Sequence, residues 1–192
     1  MLTCVRIAGV ALMLVTIKSM AADPIVDSPD NYPSQRFNGR KHLIDPEHGA
    51  YGVPFNASEA DIVKAFGRPN GVYQMSDDRR ALIYGKSNAL ILKGGRFVEI
   101  YVTEQLLDWD FANRIEPHPF FDDGTWEVVP GIKKDMAFDK IKAVVGANLG
   151  DAKYEATYTT DHATIKLRFA SSKNSEQETP KYVLMSVSIR HH

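Results

Sequence analysis

The sequence predicts an α+β fold of two tandem units, each a short helix followed by an antiparallel meander. The two sheets lie side by side, with the helices packed on one face. Three observations carry this. The stretch GVPFNASEADIVKAFGRPNG (52–71) returns as GIKKDMAFDKIKAVVGANLG (131–150), with Gly52, Gly67 and Gly71 answered by Gly131, Gly146 and Gly150. Each stretch holds an apolar stripe at helical spacing: Ile62, Val63 and Phe66 in one, Phe138, Ile141, Val144 and Val145 in the other. Each is then followed by apolar runs that read as strands bounded by turn residues.

The chain opens MLTCVRIAGVALMLVTIKSMAADP. Arg6, an uncharged apolar run from Ile7 to Ile17, and small residues at Ser19 and Ala21 have the order of a secretory signal, cleaved near Ala21. The run is too short for a bilayer, which needs about 20 apolar residues. Residues 1–21 are therefore expected to be a signal peptide, and no stable membrane insertion is expected after its removal. Cys4, the single cysteine, lies within that segment, so the mature chain would rest on burial without disulfides. Removal of Arg6 and Lys18, with no acidic residue, takes the formal charge from −1 to −3. No basic field or aromatic–basic interleaving is present, which argues against a nucleic-acid partner. Residues 22–50, rich in Pro, Asp, Asn and Gly, read as an extended leader, with Phe37, Leu43 and Ile44 placed to tuck onto the first unit.

The first unit spans 51–103. Asn56 is its expected N-cap, Gly67 its helix stop, and Arg68-Pro69 reinforces that stop. Strands are expected at Ala81–Tyr84, Ala89–Leu92 and Phe97–Val102, with turns at 86–88 and 94–95. The second unit spans 127–192, with Asp135 as its N-cap, Gly146 as its stop, and strands at Tyr154–Thr159, Ala163–Phe169 and Tyr182–Ile189. Ile165, Leu167 and Phe169 alternate with Lys166 and Arg168, so one face of that strand is buried and one is wet. Between the units, residues 104–126 read as a connecting helix, over about Glu104 to Arg114 and including Trp109, and an irregular loop. In that loop Phe120, Phe121 and Trp126 surround Asp122-Asp123-Gly124. Aromatics beside charges on a connection suit a partner-binding loop, but large aromatics are more often buried, which favours a staple between the units.

A capped amphipathic helix ending in glycine, with a tyrosine-bearing strand and a hairpin after it, resembles a known envelope module. It is the repeat of the beta-lactamase inhibitor protein family and of the SmpA/BamE outer-membrane assembly lipoproteins. The residues that carry the resemblance are Asn56, Ile62, Phe66, Gly67, Pro69 and Tyr84, then Asp135, Met136, Phe138, Ile141, Gly146 and Tyr158. Two copies are closer to the inhibitor (BLIP-like) than to the single-copy lipoproteins. The resemblance implies two sheets forming one continuous face that meets a protein partner. On that reading the contact residues are Tyr73, Tyr84, Tyr101, Tyr154, Tyr158 and Arg168, joined by Trp109 and the loop residues Phe120, Phe121, Asp122, Asp123 and Trp126.

Catalytic signatures are absent: no G-x-S-x-G elbow, no H-E-x-x-H helix, no phosphate-binding glycine loop. His42, Asp45, Glu47 and His48, and His118 with Asp122 and Asp123, lack a spacing tied to a rigid helix or hairpin, so no metal site is expected. No cofactor and no catalytic residue are assigned. Three readings remain. The first is an exported periplasmic or secreted protein that binds another protein, as an inhibitor or immunity-like partner of a hydrolase, with Phe120–Trp126 filling the target's cleft. The second is an accessory of envelope assembly, and the third a small periplasmic enzyme or ligand carrier.

Overall fold

The computed structural model describes residues 41–104, 106, 115, 117–118, 120–149, 154–172 and 181–192. Three short strands come first: β1 (Leu43–Asp45), β2 (Gly49–Ala50) and β3 (Val53–Pro54). Helix α1 (Glu59–Phe66) leads into a meander of β4 (Gly71–Ser76), β5 (Arg79–Tyr84), β6 (Asn88–Lys93) and β7 (Arg96–Val102). Two more short strands, β8 (Glu127–Val128) and β9 (Ile132–Lys133), precede helix α2 (Phe138–Val145) and its 3-10 turn. A second meander completes the chain: β10 (Glu155–Thr159), β11 (Ala163–Ser172) and β12 (Lys181–His191). The class is α+β, with two sheets and two helices among the described residues.

The two meanders form one antiparallel sheet of order β10-β11-β12-β7-β6-β5-β4. They meet where β12 pairs with β7, Val187 opposite Val102 and Ile189 opposite Ile100. The short strands form the second sheet, β3-β2-β1-β8-β9, closed by parallel pairing of β1 with β8. Residues 43–50 therefore do not belong to an extended leader. Ile44 is fully buried, and its strand is held between β2 and β8. Two-residue strands have no readable alternation, which is why the short strands escape a periodicity analysis. The signal segment, residues 22–40 and most of the expected connecting helix, Trp109 included, lie outside the described residues.

Both helices lie on the same face of the large sheet, as expected. Ile62 and Phe66 of α1 and Phe138 and Ile141 of α2 share one core with Leu82, Leu90, Ile100, Ile165, Leu167, Val187 and Ile189. The expected caps are displaced. Asn56 and Asp135 have φ of 67° and 60°, in the left-handed region that Asn and Asp tolerate better than most residues. They dock the helix entries onto the sheet: Asn56 N–H donates to the Phe97 carbonyl (2.8 Å), and Asp135 N–H to that of Leu184 (2.9 Å). The N-caps lie two residues later. Ser58 Oγ accepts from Asp61 N–H (3.2 Å), and the Asp61 carboxylate accepts from Ser58 N–H (3.0 Å), a reciprocal capping box. Ala137, at the matching place before α2, makes no side-chain cap bond. Ser58→Ala should thus cost about 1 kcal/mol in urea denaturation, whereas Ala137→Ser should gain a fraction of that.

Candidate binding face

The aromatic–acidic loop is built inward. Phe120, Phe121 and Trp126 are all buried in the main core. Phe121 meets Tyr51, Phe66, Tyr84 and His118 at ring-centroid distances of 4.8–5.5 Å. Asp122 holds the loop to the β5–β6 turn. Its carboxylate accepts from the Lys86 backbone N–H (2.8 Å), the Ser87 hydroxyl (2.7 Å) and the His118 backbone N–H (2.7 Å). Gly85 sits against that carboxylate at φ 62°, where a Cβ would collide with it. Asp123 alone of the group is exposed, with His42 Nδ1 at 3.3 Å. The expected role of Phe120, Phe121 and Trp126 as partner anchors is therefore overturned, because rings this buried cannot meet a partner without unfolding their own support, and the half-buried Asp122 spends its carboxylate on the β5–β6 turn and on His118. They staple the second sheet and the connection to the first meander.

His118 carries a pH dependence. It is buried, its Nδ1 accepts from the Phe120 (3.2 Å) and Phe121 (3.4 Å) N–H groups, and desolvation lowers its pKa to about 4 against the partial opposition of Asp122. The unfolded chain takes up the proton first, so this stability is complete above about pH 6.5 and is lost as pH falls from there toward 4. Urea unfolding should show a loss of about 2 kcal/mol between about pH 7 and pH 5, absent in His118→Gln.

The tyrosines divide by strand parity. Tyr84 and Tyr158 point into the helix-side core and are buried, so neither is a contact residue. Tyr154 is 64% exposed but stands beside the meander, edge-on to Tyr182 at 5.1 Å. Tyr73, Tyr101 and Arg168 project from the opposite face of the large sheet, where a hollow of about 580 Å³ opens.

Register shows how that face is composed. Pairing places Gly71, Ile83, Ala89, Tyr101, Ser188, Lys166 and Thr157 in one row across the seven strands, and Tyr73, Ala81, Ile91, Glu99, Arg190 and Thr164 in the next. The β4–β6 half is apolar, but Ala81, Ile83, Ala89 and Ile91 are buried there against Ile115, with Leu106 beside them, so the connection lies over that half. The β12–β11 half is hydroxylated and cationic. At the junction Glu99, only 7% exposed, accepts from Arg79 Nη2 (2.7 Å), Arg190 Nε (2.8 Å) and Ser188 Oγ (2.8 Å). Arg168 pairs with Glu155 (3.0 Å), and Lys166 is exposed with no anionic partner among the described residues. Glu99, Arg79, Arg190, Ser188 and Lys166 were not among the expected site residues. The signal for one of them was present: RFVEIYV (96–102) sets a single carboxylate inside an apolar strand, and such a group must be paired if buried.

The chain matches no protein-family model and no curated protein. Among solved structures it is similar to an extracellular protein containing an SCP domain from Bacillus anthracis str. Ames, at 9% identity and a TM-score of 0.36, over 71% of this chain and 43% of that one. It is also similar to a cysteine-rich secretory protein from Staphylococcus aureus subsp. aureus Mu50, at 15% identity and a TM-score of 0.37, over 77% of this chain and 50% of that one. The chain thus spans half or less of either structure, and at these scores neither likeness carries an inference about the face.

Among the described residues no three His, Cys, Asp or Glu side chains converge as a metal cluster. His48 Nδ1 lies 2.9 Å from Asp45, and His42 Nε2 lies 2.7 Å from the Phe120 carbonyl. No helix among the described residues is long and apolar enough to cross a membrane. What the face offers to a partner is its exposed β4 edge, with Tyr73 and Met75, and the cations Arg190, Arg168 and Lys166 on the other half.

Proposed function

We propose that this chain is an exported protein, released near Ala21 into the periplasm or beyond, that binds another envelope or secreted protein across the face of its large sheet opposite the helices. The observation that carries the reading is that face, seven strands wide, whose β5–β6 part is covered by Ile115 and Leu106 of the connection while its β4 edge and its cationic β11–β12 half are exposed. Exposed apolar contact beside charged residues is the anatomy of a docking surface. Two copies of one helix-plus-meander unit, BLIP-like in plan, account for its construction. Gly67 and Gly146 stop the two helices at φ 87° and 81°, with N–H groups on the carbonyls of Val63 and Lys142. The corresponding positions Phe97 and Leu184 receive the helix entries at Asn56 and Asp135. The Phe120–Trp126 plug is dropped from this reading, because those rings are buried. Inhibition or immunity is retained through the sheet face, and envelope assembly is the alternative use of the same surface.

The test is capture with the mature chain, from Ala22, compared with a Tyr73→Ser, Lys166→Glu variant of unchanged melting temperature. A single stoichiometric protein partner, lost in the variant, supports the reading. A partner held equally by both would place the interface elsewhere.

A further inference from the structure

Among the described residues β4 ends the large sheet and pairs only with β5, so its outer edge has no strand beside it. We propose that a second copy of this chain takes that place. Two β4 strands would pair antiparallel about a two-fold axis and join two seven-stranded sheets into one, with Tyr73 beside its own copy.

The edge is built for pairing. Half of the backbone N–H and C=O groups of an edge strand point outward, and proteins usually guard them with charge or proline. GVYQMS (71–76) holds neither. It carries Val72, Tyr73 and Met75 at 58%, 41% and 46% exposure, three of the five exposed large apolar side chains among the described residues. The opposite edge of the sheet, β10, differs: it buries Ala156 and Tyr158 and turns Glu155, Thr157 and Thr159 to water. The β4 edge lies one strand beyond the part of the sheet that the connection covers, and every residue from Gly67 to Arg80 is described.

Charge selects the occupant and the register. Residues opposite one another in an antiparallel pair share a face, so a two-fold pairing sets odd positions against odd and even against even. The ladder is irregular at Met75: the register on β5 shifts between Gln74 and Ser76, and the Gln74 amide donates to the Arg79 carbonyl (3.2 Å). Regular pairing is thereby confined to Gly71–Gln74, whose allowed centres are Val72 and Tyr73. The Tyr73 centre sets Val72 against Gln74 and carries Asp77 and Asp78 of each copy alongside Pro69 and Arg68 of the other. Arg68, Asp77 and Asp78 are all exposed. Opposite charges then flank the joint at both ends, as a self-complementary contact requires. The Val72 centre loses this match. So short an edge is small beside the roughly 1,200–2,000 Å² of a standard interface, so the dimer should form reversibly with concentration.

The proposal needs only β4 and does not rest on the docking reading, which also uses Lys166 on the β11–β12 half.

Sedimentation equilibrium of the mature chain, from Ala22, should show a monomer–dimer equilibrium. Tyr73→Lys sets two like charges opposite one another and should raise the dissociation constant by about tenfold. Should that variant fail to fold, Val72→Lys, at a more exposed position of the same edge, should weaken the dimer likewise. Tyr154→Lys, 64% exposed but beside the other edge, should leave it unchanged. Asp78→Arg should weaken the dimer, and Arg68→Asp added to it should restore the affinity. A chain that stays monomeric at every concentration would overturn the proposal, as would a dimer indifferent to the β4 variants. A charge swap that restores nothing would overturn the register. A monomer that captures a different protein through Tyr73 would give the edge to that partner, rejecting the second copy and leaving the docking reading standing. A dimer sensitive to Tyr73→Lys with no captured partner would do the reverse.

Discussion

Phe121→Ala should lower folding stability by about 4 kcal/mol, as large-to-small truncations of packed aromatic rings do. The ring is 4% exposed and meets four other rings of the core in addition to Phe120, which it contacts edge-on at 5.1 Å. Its neighbours come from separate places: Tyr51 beside the small sheet, Phe66 at the end of α1, and Tyr84 at the end of β5. No single side chain can move into the space left, so the cavity term should add to the lost burial. The measurement is the urea midpoint of the mature chain, with Trp126→Ala alongside. Phe121 serving as an exposed anchor would instead give a loss under about 1 kcal/mol, the range of surface substitutions.

Glu99→Ala should cost about 3 kcal/mol, near the lower limit for breaking a buried ion pair. The carboxylate bridges β7 to Arg79 on β5 and to Arg190 and Ser188 on β12, so its removal leaves two guanidinium groups facing one another. Arg190 is largely exposed and can turn to water, which keeps the loss from being larger. Arg79 has less freedom: its Nε is buried and has no acceptor among the described residues. A Glu99→Ala, Arg79→Met double variant should therefore recover about half of the loss.

Legibility in the sequence varied strand by strand. The β10 strand alternates Glu155, Thr157 and Thr159 with Ala156 and Tyr158, so the burial of Tyr158 is readable from its neighbours. The β5 strand is not readable in this way: Ala81 and Ile83 face the hollow while Leu82 and Tyr84 face the helices, and all four are apolar. The longer strands β5, β6, β7, β10, β11 and β12 and both helices are legible from periodicity and turn residues. The edge strand β4, GVYQMS, lacks any apolar alternation because it is exposed nearly throughout. A continuous sheet face is what the family resemblance implies, but its polarity is not legible in the sequence. Polarity depends on which strands become neighbours, and Glu99 finds Arg190 only because β7 and β12 pair.

That pairing also shapes how the chain reaches its native state. Within each meander, partners lie close in sequence and can find one another early, as hairpins do. The joint between them cannot: Val102 and Val187 are neighbours across it, as are Leu43 and Glu127 in the small sheet, and each pair is separated by more than 80 positions. Closing loops of that length must be offset by contacts made only at the end. The kinetic consequence is a folding barrier dominated by joining two preformed halves. Val102→Ala and Val187→Ala should then both slow folding, and a conservative truncation inside either hairpin should chiefly change the rate at which that half forms.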